Sequence, residues 1–363
     1  MIRKLKANKI TLLNRISASQ YYSALSCPYK LVLANSFGHQ PLLPVNVNAY
    51  FGSIIHKMIE LISKGEINDE QKFSENWTAL INKKEKELIE NGLVSITPLK
   101  YFVTDFALKK NQVKALLQKR KVKFGPNQMP SLAKYYPEKR LENKDGTIVG
   151  IADLIIENDE GITILDFKTG KIYSEAIDEC GVIEHVIKKE YEMQLKLYAH
   201  LYFLITNKYP AKLFLVTLSN DFIEVEFESS ECEKNYSEAL VFLSNINISI
   251  DKGTFAEIAK PSIENCKYCS YRPACEFYSR WLPGNFENTS DLTGILDKIT
   301  QFNNGSFGLQ LNLNDKQVLV NGFTNNSDNN FKDFLNKEIT LYSLKKTRQS
   351  LNATANSYTI VYE

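Results

Sequence analysis

The strongest constraint on this chain lies between Gly150 and Gly170. Leu154-Ile155-Ile156 and Ile162-Thr163-Ile164-Leu165 are short apolar runs, and Glu157 to Gly161 is a polar turn between them. That pattern predicts a hairpin of two adjacent strands. Asp153 sits at the head of the first run, and Asp166 and Lys168 close the second. A strand's period of two points Asp166 and Lys168 to the same face. Such a hairpin can converge two carboxylates on one divalent cation and leave an ammonium beside it. Hard oxygen ligands with a nearby cation suit the hydrolysis of a phosphodiester. Asp-x-Lys alone is common, and a surface hairpin with a salt bridge would give the same pattern.

The chain has 363 residues, enough for one large domain or two of ordinary size. Apolar residues make up 44% and charged residues 24%, the balance of a globular protein with a real core. A formal charge of +2 excludes a strong overall pull toward nucleic acid, so any such surface must be a local patch. The longest apolar stretch, Leu195 to Ile205, is interrupted by Lys196 and His200 and is too short to cross a bilayer. The first residues lack the apolar core of a secretory signal, so the cytoplasm is the expected compartment, with no membrane partner. No phosphate-binding G-x-x-x-x-G-K-[ST] loop is visible, hence no motor of the chain's own.

Cys266, Cys269 and Cys275 form a C-x2-C-x5-C cluster, Cys27 stands near the start, and Cys180 and Cys232 have no such company. In a reducing compartment clustered thiols point to a metal rather than a disulfide. Thiolates suit zinc and iron–sulfur clusters alike, so softness does not choose between them.

Ser17 caps a helix that ends near Cys27-Pro28, and Ile54, Ile55, Met58, Ile59 and Ile62 give a helix carrying His56. Charged helices are expected over 66–123, ending in the basic run Lys119 to Lys123, and strands near 137–142, 147–156 and 161–168. A helix over 191–207, strands over 212–217 and 222–227 and a helix over 230–245 precede the cysteines. Pro283 and Gly284 lie in a polar connector. Beyond it the texture turns to short strands at 295–302, 309–313, 317–323, 339–346 and 357–362, with a helical piece at 330–337. That is the element order of an OB-fold, which often binds single-stranded nucleic acid. Lys345, Lys346 and Arg348 would lie on its last loop. A β-domain that packs on the first, or docks a protein, is the alternative.

Taken in order, His56, an upstream glutamate, Gly150-x-x-Asp153, Asp166-x-Lys168 and Gln194-x-x-x-Tyr198 resemble the motif series of RecB-type nucleases in the PD-(D/E)XK superfamily. Cys27-Pro28 with C-x2-C-x5-C resembles the 4Fe–4S staple of that superfamily's iron–sulfur branch, shared by AddB and CRISPR-associated relatives. The resemblance covers residues 17 to 280. Ala152 replaces the proline of the superfamily's name, a position that does no chemistry.

The resemblance implies an α/β fold, a central mixed sheet flanked by helices over residues 1–285, and the element order beyond it gives a small all-β OB-like domain over 290–363. It implies that His56, Asp153, Asp166 and the Phe167 carbonyl hold Mg²⁺ or Mn²⁺. Lys168 would orient or deprotonate the attacking water. Gln194, with Tyr198 beside it, would brace the site, and Glu138 rather than Glu142 would be the supporting glutamate. Cys27, Cys266, Cys269 and Cys275 would bind the 4Fe–4S cluster. The expected activity is metal-dependent DNA hydrolysis on single strands or ends, exonucleolytic rather than endonucleolytic, in repair, recombination or phage defence. A DNA-binding subunit working with a helicase supplied in trans is the alternative, and a structural zinc site in a non-nuclease protein is a third.

Overall fold

The computed structural model describes residues 2–6, 8–123, 134–177, 183–313, 316–324, 331–346 and 352–363. Cys180 and Arg348 lie outside the described residues, as do the side chains of the basic run from Lys119 to Lys123.

The chain opens with two short strands, β1 (Ile2–Arg3) and β2 (Ile16–Ser17). Ser17 then caps α1 (Ala18–Leu25). Its hydroxyl accepts the Gln20 amide while the Gln20 side chain accepts the Ser17 N–H, the reciprocal pair that satisfies two otherwise orphaned donors. After α2 (Tyr29–Ser36) come three longer helices, α3 (Val47–Lys64), α4 (Glu70–Glu90) and α5 (Phe106–Lys123). The predicted strands follow as β3 (Lys134–Glu142), β4 (Ile148–Asn158) and β5 (Gly161–Lys168). Gly161 takes a φ of +118° at the β4–β5 turn, where any other residue would be strained. A separate hairpin, β6 (Tyr173–Ile177) and β7 (Ile183–Ile187), leads into α6 (Lys189–Thr206), then β8 (Lys212–Thr217), β9 (Phe222–Glu224) and α7 (Ser229–Lys252). Helix α7 runs past its expected end at Asn245 until Gly253, in the left-handed conformation, stops it.

The central sheet is mixed, in the order β2-β4-β5-β8-β9 with β3 on β4. Pairs β3–β4, β4–β5 and β8–β9 are antiparallel, while β2–β4 and β5–β8 are parallel. The parallel β5–β8 pair requires a crossover, and α6 supplies it. One face of the sheet (Ala152, Ile155, Ile164, Leu213, Leu215) packs on α1, α6 and α7. The other (Leu154, Leu165, Phe167, Val216) packs on α3, α4 and α5. Both faces are covered, which is why the strands read as nearly continuous apolar runs.

Short helices α8 (Phe255–Ile258), α9 (Ile263–Lys267) and α10 (Glu276–Trp281) carry the cysteine segment. Then come β10 (Leu292–Gln301), β11 (Ser306–Leu313), β12 (Lys316–Thr324), β13 (Glu338–Tyr342), β14 (Lys345–Lys346), β15 (Ala353–Thr354) and β16 (Ile360–Tyr362). They pair in the order β1-β16-β13-β10-β11-β12-β15-β14 around a core of their own. The expected helical piece at 330–337 is a single 3₁₀ turn, Phe331–Phe334, whose Phe331 plugs that core. Lys346 corrects another expectation. Its ammonium turns inward and donates to the Phe286 and Asp291 carbonyls, the latter at 2.9 Å, and burial lowers its pKa to about 8. It is therefore not a free cation on a binding loop.

This unit is bound to the preceding one through buried charge. Arg272 donates to both carboxylate oxygens of Asp291, at 2.6 and 3.3 Å, and to the carbonyls of Cys266, Lys267 and Cys269. Tyr278 donates to Asp291 at 2.7 Å, as does the Ser343 amide at 2.8 Å. Asp291→Ala would leave the guanidinium buried without its counter-charge, a loss of about 3–5 kcal/mol in such pairs. A clear fall in the urea midpoint is expected, and an unchanged midpoint would refute this account of the seam.

Candidate active site

The hairpin does not pair along its whole length. From Asn158↔Gly161 to Leu154↔Leu165 the β4–β5 ladder is regular, and there it stops. Strand β5 continues alone with β8, through Asp166↔Leu215 and Lys168↔Thr217. In place of the next ladder bond, Asp153 Oδ2 accepts the Phe167 N–H at 2.6 Å. The alternation of β4 also changes phase here: Ile148 and Ala152 belong to the α6-facing core, whereas Leu154 belongs to the opposite one and Ile155 to the first again. The strands part and form a notch, with Asp153 on one side and Asp166 and Lys168 on the other.

Helix α3 delivers His56 to this notch. Its Nδ1 lies 3.4 Å from Asp153 Oδ1. Burial alone would depress the imidazole, but the hydrogen bond and charge of Asp153, with Asp166 behind it, leave its pKa raised. Glu138 stands opposite Asp153 in the register, between the pairs Pro137↔Leu154 and Lys139↔Ala152, with a φ of +50°. Burial, then the negative charge of Asp153, raises its pKa. Glu142 instead pairs with Arg140 on the surface. Of the two candidate glutamates, only Glu138 reaches the field of the notch.

Helix α6 closes the other side. Gln194 and Tyr198 are one turn apart and share its sheet-facing side. Gln194 Oε1 accepts from Lys168 Nζ at 3.0 Å, and its Nε2 donates to Asp166 Oδ1 at 3.1 Å and Tyr198 Oη at 2.7 Å. Lys168 Nζ is 2.5 Å from Asp166 Oδ2. Asp166 is 3% exposed, and burial pushes its carboxyl up to about 6 although the Lys168 ammonium opposes the rise. Apart from that ion pair, Asp166 Oδ2 makes no hydrogen bond of good geometry among the described residues. His56, Asp153, Asp166, Lys168, Gln194 and Tyr198 line one pocket, together with Arg140 and Gly150.

The structure adds a residue that the sequence does not single out. Tyr191 lies under the Lys168 ammonium, 4.3 Å from ring centroid to Nζ, and holds it by cation–π attraction. Tyr191 precedes Gln194 by three residues on the same helix, but nothing in its spacing distinguishes it from a core aromatic.

The four expected cysteines also come together. Cys27, Cys266, Cys269 and Cys275 line a second pocket with Lys30, Lys260 and Arg272. Burial, with the neighbouring thiols adding to it, pushes Cys266 up to about 11 and Cys275 to about 12. Cys232 is buried elsewhere, in α7. Among the described residues, no three His, Cys, Asp or Glu side chains are spaced as a ready-made metal cage, at the thiols or at the carboxylates. At the carboxylates, Lys168 takes one Asp166 oxygen and the Phe167 amide takes one of Asp153.

Gly150 faces Tyr198 so closely that an added Cβ would collide with the ring. Gly150→Ala is expected to displace Tyr198 from Gln194 and to destabilise the domain by about 1–3 kcal/mol, as overpacking does. Denaturant unfolding checks this, and a variant as stable as the parent would show that the ring has room to move.

The PD-(D/E)XK nuclease superfamily profile matches residues 15–276. One ATP-dependent helicase/nuclease component from Listeria welshimeri is 36% identical over 84 residues, covering 23% of this chain and 7% of that protein. Its namesake from Bacillus licheniformis is 32% identical over 73 residues, or 20% of this chain and 6% of that one. The chain thus matches only a small part of these relatives' length. A crystal structure from Eubacterium rectale, described as an exonuclease, superposes with a TM-score of 0.40 at 11% identity, over 74% of this chain and 88% of that one. That superposition is too loose to transfer any residue. Among the described residues no helix is long and apolar enough to cross a membrane. The matched profile spans the notch, the α6 network and all four clustered cysteines, and the chain belongs to the PD-(D/E)XK nuclease superfamily.

Proposed function

We propose that the chain is a Mg²⁺- or Mn²⁺-dependent deoxyribonuclease acting on single strands or DNA ends. The observation that carries this reading is the linked set Asp153, Asp166, Lys168, Gln194 in one open pocket, with His56 and Glu138 at its edge. His56, Asp153, Asp166 and the Phe167 carbonyl would hold the divalent ion. A buried carboxylate oxygen lacking a good hydrogen bond, beside a second carboxylate and an imidazole, is a donor set that fits a hard cation. When bound, that ion would supply Lewis acidity and lower the pKa of water.

The protein's own share follows from the network. Gln194 fixes Lys168 from one side and Tyr191 from below, so the ammonium stays at the pocket wall. There it would orient the attacking water and offset charge as the phosphorus–oxygen bond to the 3′ oxygen breaks. The products would be a 5′-phosphate and a 3′-hydroxyl. Glu138 would act through Asp153, as a positioning group.

Four thiols lining one pocket support a 4Fe–4S cluster there, which Cys27, Cys266, Cys269 and Cys275 would hold as thiolates. The cluster would tie the end of α1 to the segment before α10. For the C-terminal unit, residues 290–363, we favour an OB-like barrel. Antiparallel β10–β11, β11–β12, β10–β13 and β13–β16 with parallel β12–β15 support this, β15 and β16 together serving as a divided fifth strand. Residues 1–285 form the nuclease domain in this reading, except that β1 pairs with β16 and so lies in the C-terminal sheet. A second reading, a DNA-binding subunit whose motor is supplied in trans, is favoured by the helicase/nuclease name of the relatives.

The test is digestion of labelled single-stranded DNA with Mg²⁺ or Mn²⁺. Lys168→Ala and Asp166→Ala should each lower the rate at least about 100-fold, and Glu138→Gln should lose far more than Glu142→Gln. Cleavage that survives Lys168→Ala would sink the assignment, and tight binding without cleavage would favour the second reading. A substrate blocked at both ends separates exonuclease from endonuclease. Anaerobic purification should give brown protein with about four iron and four sulfide per chain. Colourless protein with stoichiometric zinc would replace the cluster by a zinc site.

A further inference from the structure

Next to the catalytic pocket lies a larger groove of about 490 Å³. The two share a wall made by Lys168, Gln194 and Ser19. From there the groove runs toward the cysteine segment, where Asn265 lines both it and the thiol pocket. Its floor is α1. Ser19, Tyr22, Ser23 and Ser26 are spaced three, one and three residues apart and share one side of that helix, while Ala18, Tyr21 and Ala24 on the other side enter the core. Tyr268 stands at the far end and is 79% exposed. Neither Tyr22 nor Tyr268 stacks on another ring among the described residues, and the Lys267 ammonium lies 5.1 Å from the Tyr268 centroid, so two rings, one of them carrying a cation, border a cleft that shares a wall with the catalytic pocket.

The charge of the groove narrows what could occupy it. Lys30 and Lys168 in its lining are balanced by Glu190 and Glu264, while Lys267 and Lys188 stand over the lining rings of Tyr268 and Tyr191. Cations so few and partly offset by carboxylates can steady a phosphate in passing, but a duplex, whose bases are already stacked, offers the exposed rings nothing to receive. Exposed tyrosines and hydroxyls instead suit unstacked bases and sugars.

We propose that this groove is a single-stranded DNA subsite, in which bases stack on Tyr22 and Tyr268 while the strand passes the Lys168–Gln194 wall into the catalytic pocket. This deepens the nuclease reading and rests on it. The serine hydroxyls of α1 would bond the sugars or base edges, and selection would be for unpaired bases rather than for charge.

The test measures binding of a fluorescent oligonucleotide by anisotropy without added divalent ion, so that nothing is cleaved. Tyr22→Ala and Tyr268→Ala should each weaken binding about five-fold or more, whereas Tyr268→Trp should retain it. Tyr101→Ala, which removes an equally exposed tyrosine far from the groove in sequence and lining, should bind as the parent does. With Lys30, Lys168, Lys188 and Lys267 in reach of the groove, the salt dependence should have a slope no steeper than about −2.8. Circular dichroism of each variant guards against misfolding, and Tyr268→Trp keeps the test decisive if an alanine variant fails to fold. Parent-like binding by both alanine variants, equal competition by a duplex, or an equal loss in Tyr101→Ala would overturn the subsite. Cleavage of the same strand by the parent with Mg²⁺ is read separately. Cleavage combined with unaffected alanine variants removes the subsite alone. Binding that depends on the tyrosines without any cleavage removes the nuclease reading and leaves a strand-binding groove.

Discussion

Everything at the candidate centre depends on keeping a carboxylate charged where water hardly reaches it. Asp166 is buried at the end of β5, and burial by itself would favour the neutral acid. Lys168, two residues on and on the same face, supplies the opposing charge, and the amide of Gln194 bonds to both. A single side chain thereby fixes an anion and a cation with one acceptor and one donor. Its donor group also serves Tyr198, so the orientation of the amide is set by the network rather than left free. Remove the α6 contribution and both Asp166 and Lys168 would lose the amide that bonds to them, and the packing of α6 against α1, α7 and the sheet holds that amide in place.

The fold around that pair was legible because its strands are covered on both faces and its helices carry ordinary caps. The apolar runs in β4, β5 and β8, the Ser17 capping box and the apolar spacing in α3 all act locally, and local signals survive without knowledge of the partner. Asp153, Asp166 and Lys168 were legible as candidates from their places on the hairpin, whereas Gln194 and Tyr198 were named only through the resemblance to the nuclease motif series. Glu138 was not resolvable by spacing from Glu142, because the choice rests on registration across β3–β4 and a left-handed backbone at one position. Tyr191 was hidden by resembling any core aromatic. Lys346 misled in the other direction. A lysine beside a predicted loop reads as a surface charge, and only the carbonyls of Phe286 and Asp291, more than fifty residues upstream, turn it inward.

Arg272 illustrates the same limit more sharply. It sits inside the cysteine spacing, where sequence gives it no role beyond filling the interval between Cys269 and Cys275. In three dimensions its donors divide between two tasks. One nitrogen gathers the carbonyls of Cys266, Lys267 and Cys269, and the other two engage Asp291 just ahead of β10. The planar guanidinium suits this work because it can serve several acceptors in fixed directions, which the point charge of a lysine cannot. The loop that carries the thiols and the entry to the C-terminal strands are therefore held by one side chain.

That shared anchor gives the arrangement a mechanical consequence. The cysteine segment borders the groove through Asn265 and Tyr268, and the groove shares Lys168 and Gln194 with the notch. A shift of the segment by one residue's width would move Tyr268 and strain the Arg272 bonds at the same time, because packed, fully bonded elements do not deform smoothly. The thiol pocket, the groove and the C-terminal unit are thus linked through one segment, by Arg272 in its interior and by Asn265 and Tyr268 at its surface. A metal centre among the thiols, as proposed, would fix the position of the groove's outer wall without touching the reacting atoms, and would give four cysteines distant in sequence from the carboxylates a part in holding the proposed strand path.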